Sequence, residues 1–391
     1  MISKKVLIIT PRFPFYEKGA CDQDRATGIK IFLEKGFEAV VVCKALENEA
    51  PLAVEFEKIL GIKIITVVYK FSKSPKRFLN PLWWDGAAFE YCDEEIQKIV
   101  GQELDRFKPD IVYFDYTFLW PLYNLVKHKK LPIVTRSINF EPLHFLEEDG
   151  YSLKSWFLFL PKLLSEFISL YRSDVFFSIS PKEQKIYGWL GKEVINLPLR
   201  SLSNFLEWQY ILAEDKGRLD VFFAGSTYNV KHNRRALELI LREIAPAAER
   251  KCPGGFFFHI IGGKFPDDLK KYLEYNNIKY HGFVPKEEID DFLKNMDIAL
   301  IPSLAGAGMQ QKIFEPLSRG IPTITSKRGL AGYQFKDGEH VLLAKNNDYL
   351  SELIKLRNSG LRGKLSKNSQ ELSKKIFSQE VFDKLIRENF I

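Results

Sequence analysis

Ser303-Leu-Ala-Gly306-Ala-Gly308-Met-Gln-Gln-Lys312-Ile-Phe-Glu315-Pro-Leu-Ser-Arg-Gly320-Ile-Pro-Thr-Ile-Thr-Ser326 follows the apolar run Asp297-Ile-Ala-Leu-Ile301. Together they read as a strand, a glycine-rich turn, a short helix and a second strand, the unit from which parallel sheets are built. Gly306 and Gly308 let the backbone come close to a ligand, and the turn presents N–H groups at a helix N-terminus, where an anion is favoured. Lys312 adds a mobile cation at that point. Glu315 shares its helix face and can accept hydrogen bonds from both hydroxyls of a ribose. The bland alternative is a tight turn followed by a surface Lys312–Glu315 pair.

Outward from this segment the same alternation recurs. In the second half, strand-like runs fall at 219–224, 255–261, 278–281, 297–301, 321–326 and 340–344, with a helix near 233–250. In the first half they fall at 5–10, 38–43, 62–68, 110–114, 132–136, 174–179 and 193–197, with a helix near 25–35. Near-continuous apolar strands between helices mean parallel sheets covered on both faces, hence an α/β chain. The alternation lapses over 198–218. The expected division is a first doubly wound domain over 1–200 and a second over 201–374, with a C-terminal helix at about 375–391 packing back on the first. Ligands of such sheets sit at the carboxyl ends of the strands.

Composition narrows the function classes. The chain has 391 residues, 46% of them hydrophobic and 27% charged, which excludes a disordered chain and suits two cores. No apolar run is long enough to span a membrane, and the N-terminal run lacks a leader's cleavage pattern, so the expected location is the cytoplasm. Cys21, Cys43, Cys92 and Cys252 show no metal-ligand spacing. A formal charge of +7 hints at an anionic partner, but no dense basic block interleaves with aromatics, so nucleic acid is not expected. Two aromatic segments, Arg77–Trp84 and Trp156–Leu164, lie near basic residues. Packing in a Phe-rich core is the first reading of both; contact with the inner face of a membrane is the second.

Phe223-Ala-Gly225-Ser226, Ile260-Ile-Gly262-Gly263, Tyr280-His-Gly282-Phe283-Val284, Met296–Pro302 and Gly306–Ile321 together resemble the retaining enzymes of glycosyltransferase family 4, of the GT-B fold. Nearly the whole chain follows that pattern. The resemblance implies two Rossmann-like domains facing across a cleft. The second would hold a nucleotide-diphosphate-sugar donor; the first would hold a glycan, lipid-linked or other envelope acceptor. Metal and cofactor are both expected to be dispensable. On this resemblance Gly282-Phe283-Val284 reads the donor base and Glu315 binds the ribose. The loop Gly306–Gln311, with Met309 and Gln310, meets the diphosphate and sugar, and Lys312 supports the leaving group. Gly225, Ser226 and Gly262 complete the donor side, with Lys231 either a phosphate clamp in an unusual register or part of a solvated basic helix start. The family's first glutamate of E-x7-E falls at Ala307, so the chain matches the form G-x-G-x-x-x-K-x-x-E.

In the first domain Gly19 resembles the glycine held near the reacting phosphate, with Arg25 in support. Asp22-Gln-Asp24 mimics a metal-binding D-x-D pattern, but its place after a loop favours helix N-capping. Arg136-Ser-Ile138-Asn139-Phe-Glu141 resembles R-x-H-N-x-E, with Ile138 in place of the histidine; Asn139 is the expected catalytic contact there, and ordinary loop hydrogen bonding is the alternative. Asn233 is read as a helix cap. An epimerase acting on nucleotide-sugars and a non-catalytic sugar-nucleotide-binding partner stay open beside the transferase. An NAD-dependent oxidoreductase does not, because the first loop lacks G-x-G-x-x-G and the second strand ends at Cys43-Lys44 with no ribose-binding acid.

Overall fold

The computed structural model describes residues 4–15, 20–70, 79–80, 83–206, 217–304 and 309–390. The chain divides into two compact units, Met1–Ser201 with Gln379–Ile391 and Leu202–Ser378. The first unit carries β1 (Lys5–Arg12), β2 (Glu38–Ala45), β3 (Lys63–Val68), β4 (Ile111–Phe114), β5 (Ile133–Arg136), β6 (Val175–Ser178) and β7 (Ile195–Asn196), in the order β3-β2-β1-β4-β5-β6-β7. The second carries β8 (Leu219–Thr227), β9 (Phe256–Gly263), β10 (Ile278–Tyr280), β11 (Ile298–Ile301), β12 (Thr323–Thr325) and β13 (Leu342–Leu343), in the order β10-β9-β8-β11-β12-β13. The described pairings within both sheets are parallel. Each apolar run read from the sequence coincides with one of these strands.

The runs are continuous because both sheet faces are covered. In β1, Val6 and Ile8 point to one side, onto Ile29 and Phe32 of the helix Ala20–Glu34 and onto Phe382, Ile386 and Phe390 of the last helix, Gln379–Phe390. Leu7 and Ile9 point to the other, onto Ile96, Val100 and Leu104 of the helix Glu94–Phe107. Strand alternation distributes one apolar run between two cores.

In each sheet the strand order reverses beside the first strand of the unit, between β1 and β4 and between β8 and β11. Chain crossovers there leave in opposite directions and open a crevice at the carboxyl ends. In the first unit that place is filled by the protein's own charges. Asp24 does not cap the helix as expected: the helix begins at Ala20, so Asp24 is its fifth residue and faces inward. Its carboxylate accepts from Arg136 Nη1 at 2.5 Å and Arg200 Nη2 at 2.9 Å, and Arg200 also reaches Asp115, just beyond β4, at 3.2 Å. Burial alone would raise the Asp24 pKa, but Arg136 and Arg200 overcome it and hold the group at about 2. A Cβ at Gly28 would stand 2.0 Å from the Arg200 guanidinium, so glycine there gives the arginine its room.

A second expectation is corrected on the helix Leu153–Arg172. Its aromatic start does not pack in the core: Trp156 and Phe157 are exposed, while the inward residues include Ser155, Ser165, Glu166 and Ser169. In the other aromatic segment, residues 77, 78, 81 and 82 lie outside the described ones.

Asp24→Ala leaves two buried guanidinium groups short of a counter-charge and should cost about 3–5 kcal/mol in urea unfolding at neutral pH. Because the folded pKa is depressed, the carboxylate's contribution is present above the unfolded value of about 4 and is lost as pH falls toward about 2. A variant with unchanged unfolding, or with the same acid slope as the parent, would contradict the assignment.

Candidate functional site

The carboxyl end of the second sheet is built around close backbone approaches. Tyr228, fully buried, lies under Gly225 at the end of β8 and Gly262 at the end of β9. Its hydroxyl donates to the Ile261 carbonyl at 2.5 Å and its N–H to the Gly263 carbonyl at 2.9 Å. Gly262 has φ +148°, and a Cβ on it would stand 2.2 Å from the Gly225 carbonyl oxygen and 2.9 Å from the Tyr228 ring. Its N–H donates to the Gly282 carbonyl at 2.8 Å, which draws the segment Gly282-Phe283-Val284 toward the strand ends. Phe283 is 72% exposed there and Val284 is half-buried.

The helix Gln311–Arg319 places Lys312 as its second residue. Lys312 Nζ donates to Asn233 Oδ1 at 3.0 Å, and Asn233 Nδ2 donates to the Thr227 carbonyl at 3.1 Å. Asn233 is therefore no cap: the helix Lys231–Leu239 is preceded by Val230, and Asn233 sits inside its first turn, almost fully buried. The Lys312–Glu315 surface pair does not form either. Glu315 accepts from Arg319 at 3.2 Å, and Arg319 also pairs with Asp290. Among the described residues no carboxylate lies within ion-pair reach of Lys312. Burial pushes its pKa down to about 8.

Both flanks of the glycine turn are anchored. Gln310 bonds through its side-chain amide to Ser303 Oγ at 2.9 Å, and its carbonyl accepts from Tyr333 at 3.2 Å. Ser326 Oγ donates to the Ser303 carbonyl at 2.6 Å. Gly306, Ala307 and Gly308 themselves lie outside the described residues, as does Gly19 in the first unit. Met309 and Gln311 are half-buried beside the helix start; Ser226 and Lys231 are exposed. Arg234 is engaged by Glu238 at 3.0 Å and Asp268 at 2.9 Å.

In the first unit, Asn139 is half-buried in the loop after β5, where its carbonyl accepts from Ser137 Oγ at 2.8 Å. Ile138 is buried, and Glu141 accepts from the Tyr116 hydroxyl. The structure thus brings Lys312, Gly225, Ser226, Lys231 and Gly262 to one sheet end and holds Asn139 in a separate unit. The sequence reading missed Asn233 as the lysine's partner, Tyr228 as the wedge and Tyr333 as the anchor of Gln310. A tyrosine three residues after Gly225 was the visible signal for the wedge. Among the described residues no group of three or more His, Cys, Asp or Glu side chains converges as metal ligands would.

Residues 218–356, which span most of this sheet, match the family described as Glycosyl transferases group 1. No curated protein matches the chain by sequence. Three solved structures are similar to it at 12% identity, with 98% of both chains covered. They are sucrose-phosphate synthase (tll1590) from Thermosynechococcus elongatus at a TM-score of 0.67, TarM at 0.67, and Anabaena Alr3699/HepE in complex with UDP and glucose at 0.60. At that identity they establish the fold, the two-sheet GT-B class. The segment match marks the second sheet as a glycosyltransferase domain, and the enzyme class follows from it.

Gly262→Ala should lower stability by about 3 kcal/mol through strain and overlap with Gly225 and Tyr228, whereas Gly263→Ala, whose Cβ would meet the Ser226 carbonyl at an ordinary 3.6 Å, should change it by less than about 1 kcal/mol. Urea unfolding of the two variants measures the difference, and equal effects would contradict the described packing.

Proposed function

We propose that the chain moves a sugar from a nucleotide-diphosphate-sugar to a hydroxyl of a glycan or lipid-linked acceptor, with retention at the anomeric carbon and with no metal or cofactor. The observation that carries this reading is the state of Lys312. It is a half-buried cation at the carboxyl end of the second sheet, held by a neutral amide and, among the described residues, by no carboxylate. Such a cation, at the N-terminus of a helix, suits an anion. HepE, solved with UDP and glucose, supports a nucleoside diphosphate as that anion.

In this reading the diphosphate lies against Lys312, the first N–H groups of the helix and the turn that holds Gly306 and Gly308. Gly225, Ser226, Lys231 and Gly262 border it, and Gln310 and Gln311 orient the sugar beside Met309. Glu315 leaves the Arg319 pair to accept the ribose hydroxyls, and Gly282-Phe283-Val284 contacts the base. As the sugar–phosphate bond breaks, charge grows on the leaving diphosphate and positive character on the sugar. Fixed donors and Lys312 stabilise the first of these changes, which is where catalysis gains most.

The deciding experiment is calorimetric titration with UDP-, GDP-, ADP- and CMP-sugars, followed by product analysis with the best donor. Transfer to an acceptor supports the proposal. Epimerised donor without acceptor supports an epimerase, and binding without turnover supports a non-catalytic partner.

Glu315→Ala should weaken nucleotide binding by about 1–3 kcal/mol, the loss of a charged hydrogen bond. Lys312→Ala should lower turnover more than donor affinity, because its contact strengthens as the leaving group departs. Lys312 keeps its cation below about pH 8, so diphosphate affinity should fall as pH rises through that value, while Lys312→Arg should hold it flat. Activity should survive excess EDTA; its loss would remove the metal-free mechanism.

A further inference from the structure

The helix Leu153–Arg172 turns polar groups inward beside the buried Pro161 and Leu170. Ser165 accepts from Trp120 Nε1 at 3.0 Å and donates to Asp85 at 2.7 Å, Glu166 accepts from Thr117 at 2.8 Å, and Ser169 donates to the Thr117 carbonyl at 2.8 Å. Its outward face carries Leu153, Trp156, Phe157, Leu160, Leu164 and Tyr171, all exposed, with Leu153 at 91% and Leu160 at 63%. At 3.6 residues per turn these six fall within about 100° of arc, along a helix of about 30 Å. At its far end the Tyr171 hydroxyl donates to the Leu190 carbonyl, next to Trp189, which is 86% exposed at the end of the helix Pro181–Trp189.

The charges on these two helices are sorted by sign. The exposed ones are Lys154, Arg172, Lys182 and Lys185, all basic. The two acids are turned inward: Glu166 is fully buried, and Glu183 accepts from the Phe140 N–H at 3.2 Å with its second oxygen buried. Lys162 is half-buried and paired with Asp85 at 3.5 Å. An aromatic and leucine stripe bordered by cations matches the interfacial zone of an anionic bilayer, where Trp and Tyr sit at headgroup level and Lys and Arg reach the phosphates. Among the described residues no helix is long and apolar enough to cross a membrane, so the helix lies on the surface.

We propose that the outward face of the helix Leu153–Arg172, with Trp189, Lys182 and Lys185, docks the first unit on a bilayer rich in anionic lipid. This surface is distinct from the residues assigned to transfer, and its docking does not depend on them.

Vesicle flotation of the full chain tests it, with phosphatidylcholine alone and with phosphatidylglycerol added. Binding should require the anionic lipid and weaken with salt. Trp156→Ser with Leu160→Ser, both solvent-facing, should lower partitioning about tenfold or more while leaving circular dichroism and nucleotide binding unchanged. Lys182→Ala and Lys185→Ala should each lower it about fivefold. Absence of flotation with anionic vesicles, or undiminished binding by the serine variant, would overturn the proposal. So would a lipid-free dimer that the serine variant dissociates, since the stripe would then be covered by a second copy.

Discussion

One amide ties together the parts on which the carboxyl end of the second sheet depends. Asn233 donates to the carbonyl of Thr227, the last residue of β8, and accepts from Lys312, at the start of the helix that comes after β11. β8 and β11 are the adjacent strands whose crossovers leave in opposite directions, so nothing in the sheet itself joins the segments beyond their carboxyl ends. The side-chain amide does so, and it does so without charge. Held by a carboxylate, Lys312 would be neutralised; held by an amide, it keeps its positive field for a ligand.

The first unit shows the contrary solution with the same strand order. There Asp24 and Asp115 face Arg136 and Arg200, and the charges cancel among buried side chains. Such a cluster is rigid and costly to break, but it has little field left to attract an anion. Two sheets of one topology thus differ in what their crevices offer. One balances its charges among its own side chains; the other, among the described residues, leaves Lys312 with no carboxylate.

The strands were legible because parallel sheets bury both faces: runs such as Val6–Ile9 and Phe222-Phe223 need no periodicity to be recognised. Lys312 and Glu315 were legible through their spacing from the glycines. What escaped depended on distance along the chain. Asn233 lies 79 residues before Lys312, and from local sequence a polar residue near a helix start reads as a cap. Asp24 was misread for the same reason, its partners lying 112 and 176 residues away. The helix Leu153–Arg172 misled differently, since local patterning says which face is apolar and not which face turns inward.

The packing of Tyr228 between Gly225 and Gly262 bears on how this sequence can change over time. At Gly262 a side chain would strike the Gly225 carbonyl whatever stands at 228, whereas at Gly225 a methyl asks the Tyr228 ring to give by a few tenths of an ångström; a smaller residue at 228 would leave a void beneath both strand ends. Gly262 is therefore the fixed position of the three, and Gly225 and Tyr228 are a pair whose changes are coupled.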